Sequence, residues 1–269
     1  IYPTQNNLIF LMNERIDIVL VKLKYATTRS QSRLLIKEGV VFYKGQKVEK
    51  PGFLVDTEEI EVKKEKTFVG RGGDKLEGVL EQMKLKLKDR LIADVGASTG
   101  GFTDVVLRRG AKKVYAIDVG KDQLANELRE DKRVINYEGI NIKNGLDLPE
   151  KVDFCVVDLS FISLKLVLEE VFKLLHEEGR ALVLVKPQFE AGLDKVGKKG
   201  VVKDPGVRLE VLLELFDWCF ERRIYIENFL PSSIQGKKGN QEYFFLLSRS
   251  ECEKGKLERK QLISRFKEL

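Results

Sequence analysis

Three charged residues stand at the ends of apolar runs in this sequence. Asp158 follows Val156-Val157, Lys186 follows the run ALVLV at 181–185, and Glu242 comes directly before the run YFFLL. A fourth, Lys75, falls on the first turn of a predicted helix carrying Leu76, Val79, Leu80 and Met83. The helix dipole favours acids at that end, so a lysine there is out of place. Singly, each of the four is the pattern of a cap or a surface ion pair. Together they make two ammonium groups and two carboxylates, a set that can orient a weak oxygen nucleophile and stabilise the negative charge it develops.

A second constellation lies in residues 91–102, LIADVGASTGGF. A short apolar run reaches Asp94, breaks into a glycine-rich turn, and restarts as a helical pattern at Phe102. That is a buried strand, a turn and a helix N-terminus, which lets a ligand approach the backbone closely. A second apolar run, Val114-Tyr115-Ala116-Ile117, ends in Asp118, 22 residues beyond Gly96. A glycine turn after one strand with an acid ending the next binds a ribose-bearing cofactor, the acid accepting from the ribose hydroxyls. The candidate cofactor residues are Asp94, Gly96, Ala97, Ser98, Thr99, Gly100, Gly101 and Phe102, with Asp118 and Val119. NAD and S-adenosylmethionine both fit such a frame. Three features favour S-adenosylmethionine: the Asp-x-Gly-x-x-x-Gly-Gly spacing differs from G-x-G-x-x-G, the sheet closes with an antiparallel hairpin, and a further acid, Asp158, ends the fourth strand.

The elements that must position these residues alternate. Strands are predicted at 91–95, 114–118, 134–137, 152–158 and 180–186, with helices at 164–175 and 207–220. Strands at 224–230 and 242–247 are joined by a Gly/Lys-rich loop without a helix and form the hairpin. Alternation of this kind gives an α/β, Rossmann-like, mostly parallel sheet with its ligand at the carboxyl ends of the strands. The lysine-rich loop 192–208 reads as a lid beside Lys186 that clamps substrate phosphate.

The chain has 269 residues, 43% hydrophobic and 33% charged, with a formal charge of +6. That length admits one large domain and a small one. No run of eighteen apolar residues occurs, which argues against membrane insertion, and the first residues lack the pattern of a signal peptide. Cys155, Cys219 and Cys252 are widely spaced and odd in number, in keeping with a cytoplasmic protein. With no paired cysteines and a single histidine, no metal is expected; His176 reads as a helix-terminus residue. Residues 1–11 read as a leader, a tag remnant or an upstream extension, with Met12 the start of the working protein.

Between Arg15 and Lys50 there are nine Lys or Arg against three Asp or Glu. Two helices are expected there, over Ile16–Leu23 and around Leu34–Ile36, the second capped by Thr28 or Ser30. Strands follow at 40–43, 46–48 and 59–63. Arg29, Arg33 and Lys37 stand four apart on one helix face, near Lys44 at a turn, which makes a compact basic face suited to phosphate. Arg15-Ile16-Asp17, Ser30 to Arg33, and Ile36 to Val41 followed by Tyr43 to Val48 resemble the S-four-type RNA-binding domain.

The remaining blocks extend the resemblance. RGGDKL at 71–76, DVGASTGGFTD at 94–104, AIDVG at 116–120, VVDLSFISL at 156–164, VKPQFEAG at 185–192, GVVKDP at 200–205 and GNQEYFFLL at 239–247 are similar to the TlyA-type family. That family, often labelled haemolysin A, joins an S-four domain to an FtsJ-like 2′-O-methyltransferase domain. The resemblance implies an α+β S-four-type domain over 12–63, a linker over 64–73, the methyltransferase domain over 74–249 and a basic tail over 250–269. It implies S-adenosylmethionine as cofactor, adding Asn141 and Asp158 to its binding residues. Lys75, Asp158, Lys186 and Glu242 take the positions of a K-D-K-E catalytic tetrad. The implied substrate is a cytidine 2′-hydroxyl in ribosomal RNA, free or in ribosomal subunits, held by Arg15, Arg29, Arg33, Lys37, Lys44, Arg71, Lys198 and Lys199. Lys186 is expected nearest the nucleophile, as a general base or an electrostatic stabiliser, with Lys75 supporting it and the acids orienting the pair.

Two departures stand out. Family members often carry Tyr-Gly-Gln-Leu-Ala-Trp after the strand-two acid, where this chain has Lys121-Asp122-Gln123-Leu124-Ala125-Asn126. The common Arg-Thr-Asn pattern is replaced by Gly139-Ile140-Asn141. The rival readings are a membrane-active haemolysin, an RNA-binding pseudo-methyltransferase and a dehydrogenase. The first lacks an apolar span, the second runs against the intact tetrad, and the third against the turn spacing.

Overall fold

The computed structural model describes residues 14–56, 59–62, 68–250 and 256–269. Residues 1–11 and Met12, the charged joint at 63–66 and Cys252, all singled out from sequence, lie outside the described residues. The chain divides into two units, Ile1–Thr67 and Phe68–Leu269.

In the first unit, β1 (Glu14–Arg15) leads straight into α1 (Ile16–Lys22), and α2 (Arg29–Lys37) follows. Of the two predicted caps Thr28 is the one used, its side chain accepting from the Gln31 N–H. Strands β2 (Val41–Tyr43), β3 (Gln46–Lys47), β4 (Leu54–Val55) and β5 (Ile60–Val62) complete the unit. β2 lies between β3 and β5, both antiparallel to it, while β1 pairs with β4. Ile16, Val19, Leu20, Ile36, Val41, Val48 and Val55 form its core.

The second unit begins with α3 (Gly72–Gln82), β6 (Leu91–Val95), α4 (Gly101–Arg108), β7 (Lys113–Asp118), α5 (Asn126–Arg129) and β8 (Val134–Glu138). It continues through β9 (Val152–Val157), α6 (Leu168–Leu174), β10 (Leu175–Val185), α7 (Pro187–Glu190), α8 (Pro205–Glu221), β11 (Tyr225–Pro231), β12 (Tyr243–Ser248) and α9 (Arg259–Lys267). The sheet order is β11-β12-β10-β9-β6-β7-β8, parallel from β10 to β8, with β12 antiparallel to both of its neighbours. Because side chains alternate along a strand, a sheet covered on both faces needs continuous apolar runs. Val95, Val157 and Val183 face one core, and Ile92, Val156 and Leu184 the other.

Three sequence expectations change. The single helix at 164–175 is a 3₁₀ turn, Leu164–Leu166, and then α6, with Val167 between them at φ −129°. His176 belongs to β10, not to a helix end, because Leu175 already pairs with Val152 of β9; its Nε2 lies 3.3 Å from Asp153. The stretch expected as a basic tail contains α9, whose Leu262 is fully buried and whose capping box joins Glu258 and Gln261. Leu257, Leu262 and Phe266 carry the apolar pattern that the dense charges obscured. Among the described residues, no helix is long and apolar enough to cross a membrane.

Candidate active site

Strand register explains why residues so far apart in sequence meet. Val95 is level with Ile117 and Val157, and Val185 with Tyr243. The residues just beyond those ends are Gly96, Asp118, Asp158, Lys186 and Glu242, so all five lie along one edge of the sheet. β12 runs backwards, which is why its N-terminal flank brings Glu242 to the edge that the parallel strands reach with their carboxyl ends.

Two neighbouring clefts open there. One, of about 450 Å³, is lined by Gly96, Ser98, Asp118, Val119, Gln123, Asn141 and Asp158, with Ile117, Ile142, Leu159 and Ile162 as apolar wall. The other, of about 770 Å³, takes in Arg71, Lys75, Ala97, Thr99, Gly101, Phe102, Asp158, Lys186 and Glu242. Gly96, Ser98, Asp158, Ser160 and Phe161 line both. Both volumes fall in the range of about 300–1,000 Å³ typical of small-molecule sites.

The first cleft suits a ribose-bearing cofactor. Both carboxylate oxygens of Asp118 accept backbone N–H groups, Ser98 N at 2.8 Å and Gly120 N at 2.7 Å. These bonds fix the carboxylate while leaving lone pairs for hydroxyl donors. Gly96 adopts φ +90°, and Gly101 has no room for a side chain because a Cβ there would come 2.8 Å from the Val69 carbonyl. The glycines thus let the backbone itself form the cleft floor. Lys121 and Asn126, where family members carry aromatics, are exposed and line neither cleft. The apolar wall comes from strand-end residues instead.

Two expected cofactor residues do not reach either cleft. Asp94 is fully buried beneath the turn, its Oδ2 accepting from Thr103 Oγ1 at 2.6 Å and its Oδ1 without a hydrogen-bond partner. Burial pushes its pKa up to about 7, the hydroxyl of Thr103 opposing and the charge of Asp158 adding to the rise. Gly100 forms the N-cap of α4 at φ +97°, against Leu124 and Leu128. Both support the turn from below. The strand-and-turn reading could not separate residues that line the turn from those that brace it.

Four charged residues of the second cleft, Lys75, Asp158, Lys186 and Glu242, form two ion pairs. Lys75 Nζ lies 2.5 Å from Glu242 Oε2, with side-chain exposures of 11% and 3%. Lys186 Nζ contacts Asp158 Oδ1 and donates to Ser160 Oγ at 2.9 Å. The lysine that conflicts with its own helix dipole is thereby accounted for by an acid 167 residues away. Gln188 Nε2 donates to Glu242 Oε1 at 3.3 Å. The cleft rim carries Phe161, 90% exposed and at φ +64°, packed against Phe189 with ring centroids 5.0 Å apart. Ser160, Gln188 and Phe161 were not legible as site residues. Ser160 and Gln188 follow strand-end charges by two positions, one in a loop and one on the single turn of α7, and an aromatic reads from sequence as core.

The basic residues separate. Arg71 lines the second cleft, as do Lys237 and Lys238. Lys198 and Lys199 are exposed but line neither cleft, although Val196 and Gly200 beside them do. Asn240 ties that loop down, accepting from Val202 N at 2.9 Å and donating to the Gly200 carbonyl at 2.8 Å. In the first unit, Arg15, Arg29 and Arg33 converge on Asp17, Lys37 is exposed, and Lys44 pairs with Asp56.

A model of the FtsJ-like methyltransferase family matches residues 68–249, and one of the S4 domain matches residues 14–60. A Mycobacterium tuberculosis protein named 16S/23S rRNA (cytidine-2′-O)-methyltransferase TlyA is 41% identical over 240 residues, 87% of this chain and 89% of that protein. Hemolysin A of Brachyspira hyodysenteriae is 38% identical over 223 residues, 81% of this chain and 93% of that one. A solved structure from Streptococcus thermophilus, of a protein assigned to the hemolysins, has a TM-score of 0.69 at 35% identity, covering 96% of this chain and 97% of that one. A Listeria monocytogenes structure, of a protein assigned to the S-adenosylmethionine-dependent methyltransferases, shares the fold at 16% identity, TM-score 0.51, over 68% of this chain and 100% of that one.

Proposed function

The chain belongs to the FtsJ-like methyltransferase family, with an S4 domain at its N-terminus, and from that we propose that it methylates the 2′-hydroxyl of a cytidine in ribosomal RNA. Its cofactor is S-adenosylmethionine, for which the Asp118 cleft provides a fitting lining, with a carboxylate placed to accept from ribose hydroxyls. The observation that carries the reading is the pairing of Lys186 with Asp158 and of Lys75 with Glu242 in one cleft next to the cofactor cleft.

A ribose hydroxyl is a weak nucleophile, so the site must orient it and offset the charge that develops on its oxygen. When bound, S-adenosylmethionine supplies a methyl group on a positively charged sulfur that leaves as a neutral thioether. Asp158 lines both clefts and holds the ammonium of Lys186 at their junction. Lys186 is the group that meets the reacting hydroxyl and stabilises its oxygen as the bond to carbon forms, while the hydroxyl proton passes to solvent water. Lys75, held by Glu242, adds a second positive charge, and Gln188 keeps Glu242 in place. Phe161 offers its ring at the rim as a face on which a nucleobase stacks. Arg71, Lys237 and Lys238 supply charge for the RNA backbone along the same cleft. Sequence similarity to relatives named as rRNA (cytidine-2′-O)-methyltransferases supports the choice of target.

The test is direct. Purified 16S and 23S rRNA, and intact ribosomal subunits, are incubated with the protein and methyl-labelled S-adenosylmethionine, then digested to nucleosides. Label in 2′-O-methylcytidine is the expected result. Label confined to a nucleobase, or to another 2′-O-methyl nucleoside, contradicts the assignment.

A further inference from the structure

The N-terminal unit holds an arrangement that the methyl-transfer site does not use. Asp17, in the first turn of α1, has no exposed side-chain surface, yet its carboxylate serves three guanidinium groups. Arg15 donates from Nε at 3.1 Å, Arg29 from Nη2 at 2.9 Å and Arg33 from Nε at 3.4 Å. The three arginines are about half exposed, at 45%, 49% and 55% of side-chain area. Arg29 and Arg33 stand one helical turn apart on α2, and Arg15 comes from β1. One buried acid therefore gathers donors from two separate elements into a single fan.

The electrostatics of Asp17 fit such a role. Burial raises its pKa, but the hydrogen bonds and charges of Arg15 and Arg29 outweigh that and hold it near about 2. The acid stays ionised, and its cost is one positive charge subtracted from the most basic part of the chain. A surface that bound an anion by net charge alone would be better without it. What the acid provides is geometry. A guanidinium has five N–H donors, and Asp17 occupies one or two on each arginine. The remaining donors are left on side chains whose rotamers are already fixed.

We propose that Asp17 is a positioning residue for RNA: it presets Arg15, Arg29 and Arg33 as a rigid fork for the sugar-phosphate backbone. The inference rests on the reading of the substrate as ribosomal RNA and goes beyond it by naming what arranges the contact. Long basic side chains lose rotamer freedom when they are immobilised on a partner, and a side chain already held by a buried carboxylate loses less. Guanidinium groups held in a fixed orientation also pair with phosphate oxygens two bonds at a time, which a free point charge does not.

The test uses the full chain and purified ribosomal RNA, with dissociation constants measured across a salt series and thermal unfolding recorded for each variant. Asp17→Asn removes a negative charge, so an effect of charge alone tightens binding. The positioning role predicts the opposite sign, a loss of about 5- to 10-fold. It also predicts a slope of log K against log salt shallower by about one contact. The double variant Arg29→Lys, Arg33→Lys keeps every charge, changes only half-exposed residues, and is expected to lose affinity to a similar extent. Should Asp17→Asn fail to fold, the double lysine variant decides alone. Wild-type affinity and slope in a folded Asp17→Asn, or in the double lysine variant, overturns the proposal. The underlying reading has its own control: if the wild-type chain does not bind ribosomal RNA, that reading fails, whereas Arg29→Ala, Arg33→Ala binding as tightly as wild type shows that this face does not hold RNA and overturns the proposal alone.

Discussion

A Cβ added to Gly96 would lie 2.5 Å from the carbonyl oxygen of Asp158. The turn that opens the cofactor cleft is thus in near contact with the strand end that carries the acid of the Lys186 pair. The two clefts proposed for cofactor and reaction lie on two sides of one backbone junction, closed by the hydrogen bond from Asp158 N to the Val95 carbonyl at 3.0 Å. The junction tolerates no side chain, and Gly96 sits at φ +90° besides.

Gly96→Ala is therefore expected to weaken S-adenosylmethionine binding by about tenfold or more and to cost about 1–3 kcal/mol of stability from backbone strain. Calorimetric titration and urea unfolding measure the two effects. Unchanged cofactor affinity contradicts the placement of the turn against the cofactor.

The pairing of Lys75 with Glu242 separates stability from activity. Lys75→Met leaves Glu242 buried without its cation and with the Gln188 amide beside it, and an uncompensated buried charge destabilises by about 3 kcal/mol. Adding Glu242→Gln removes that charge and should restore most of the unfolding midpoint while methyl transfer stays at least about a hundredfold down. A double variant with near wild-type turnover excludes the pair from the chemistry.

How far the sequence anticipates this site depends on what kind of residue is in question. Asp118, Asp158, Lys186 and Glu242 are visible because strand ends are visible: an apolar run that stops in a charge marks the sheet edge. Lys75 is visible as a violation of helix electrostatics. Ser160, Gln188, Phe161 and Asn240 are not, because their positions follow from loops and from the single turn of α7, which carry no period. Asp94 and Gly100 belong to the same turn but line neither cleft, a distinction that the strand-and-turn pattern does not carry. α9 goes unseen because the two apolar residues at its contact face, Leu262 and Phe266, are diluted by charged neighbours.

Asp94 gives the fold a dependence on pH. An ordinary aspartate has a pKa near ~3.9, and burial raises that of Asp94 to about 7 in the folded chain. Between those values the unfolded chain has released the proton that the folded chain keeps. The contribution of Asp94 to stability is therefore fully present below about pH 4, falls as pH rises, and levels off above about 7. Urea midpoints at pH 5 and pH 8 should move in favour of Asp94→Asn relative to wild type as pH rises. A difference between the two proteins that does not change with pH contradicts the assignment.

Phe161 is held in a left-handed conformation with most of its ring in solvent. Phe161→Gly relieves the backbone strain, so unfolding should be unaffected or up to about 1 kcal/mol more costly. A lost base stack of about 1–3 kcal/mol lowers kcat/KM for RNA by roughly 5- to 150-fold. Cofactor affinity stays as in wild type. A variant that keeps full kcat/KM removes the ring from substrate recognition.

The central claim is that Lys186, fixed by Asp158 and Ser160 where the two clefts meet, acts on the hydroxyl that accepts the methyl group. Transfer of labelled methyl to ribosomal RNA by Lys186→Ala, measured beside its dissociation constant for S-adenosylmethionine, tests this most directly. The account predicts transfer reduced at least about a thousandfold with cofactor affinity within about twofold of wild type. Transfer at the wild-type rate contradicts it.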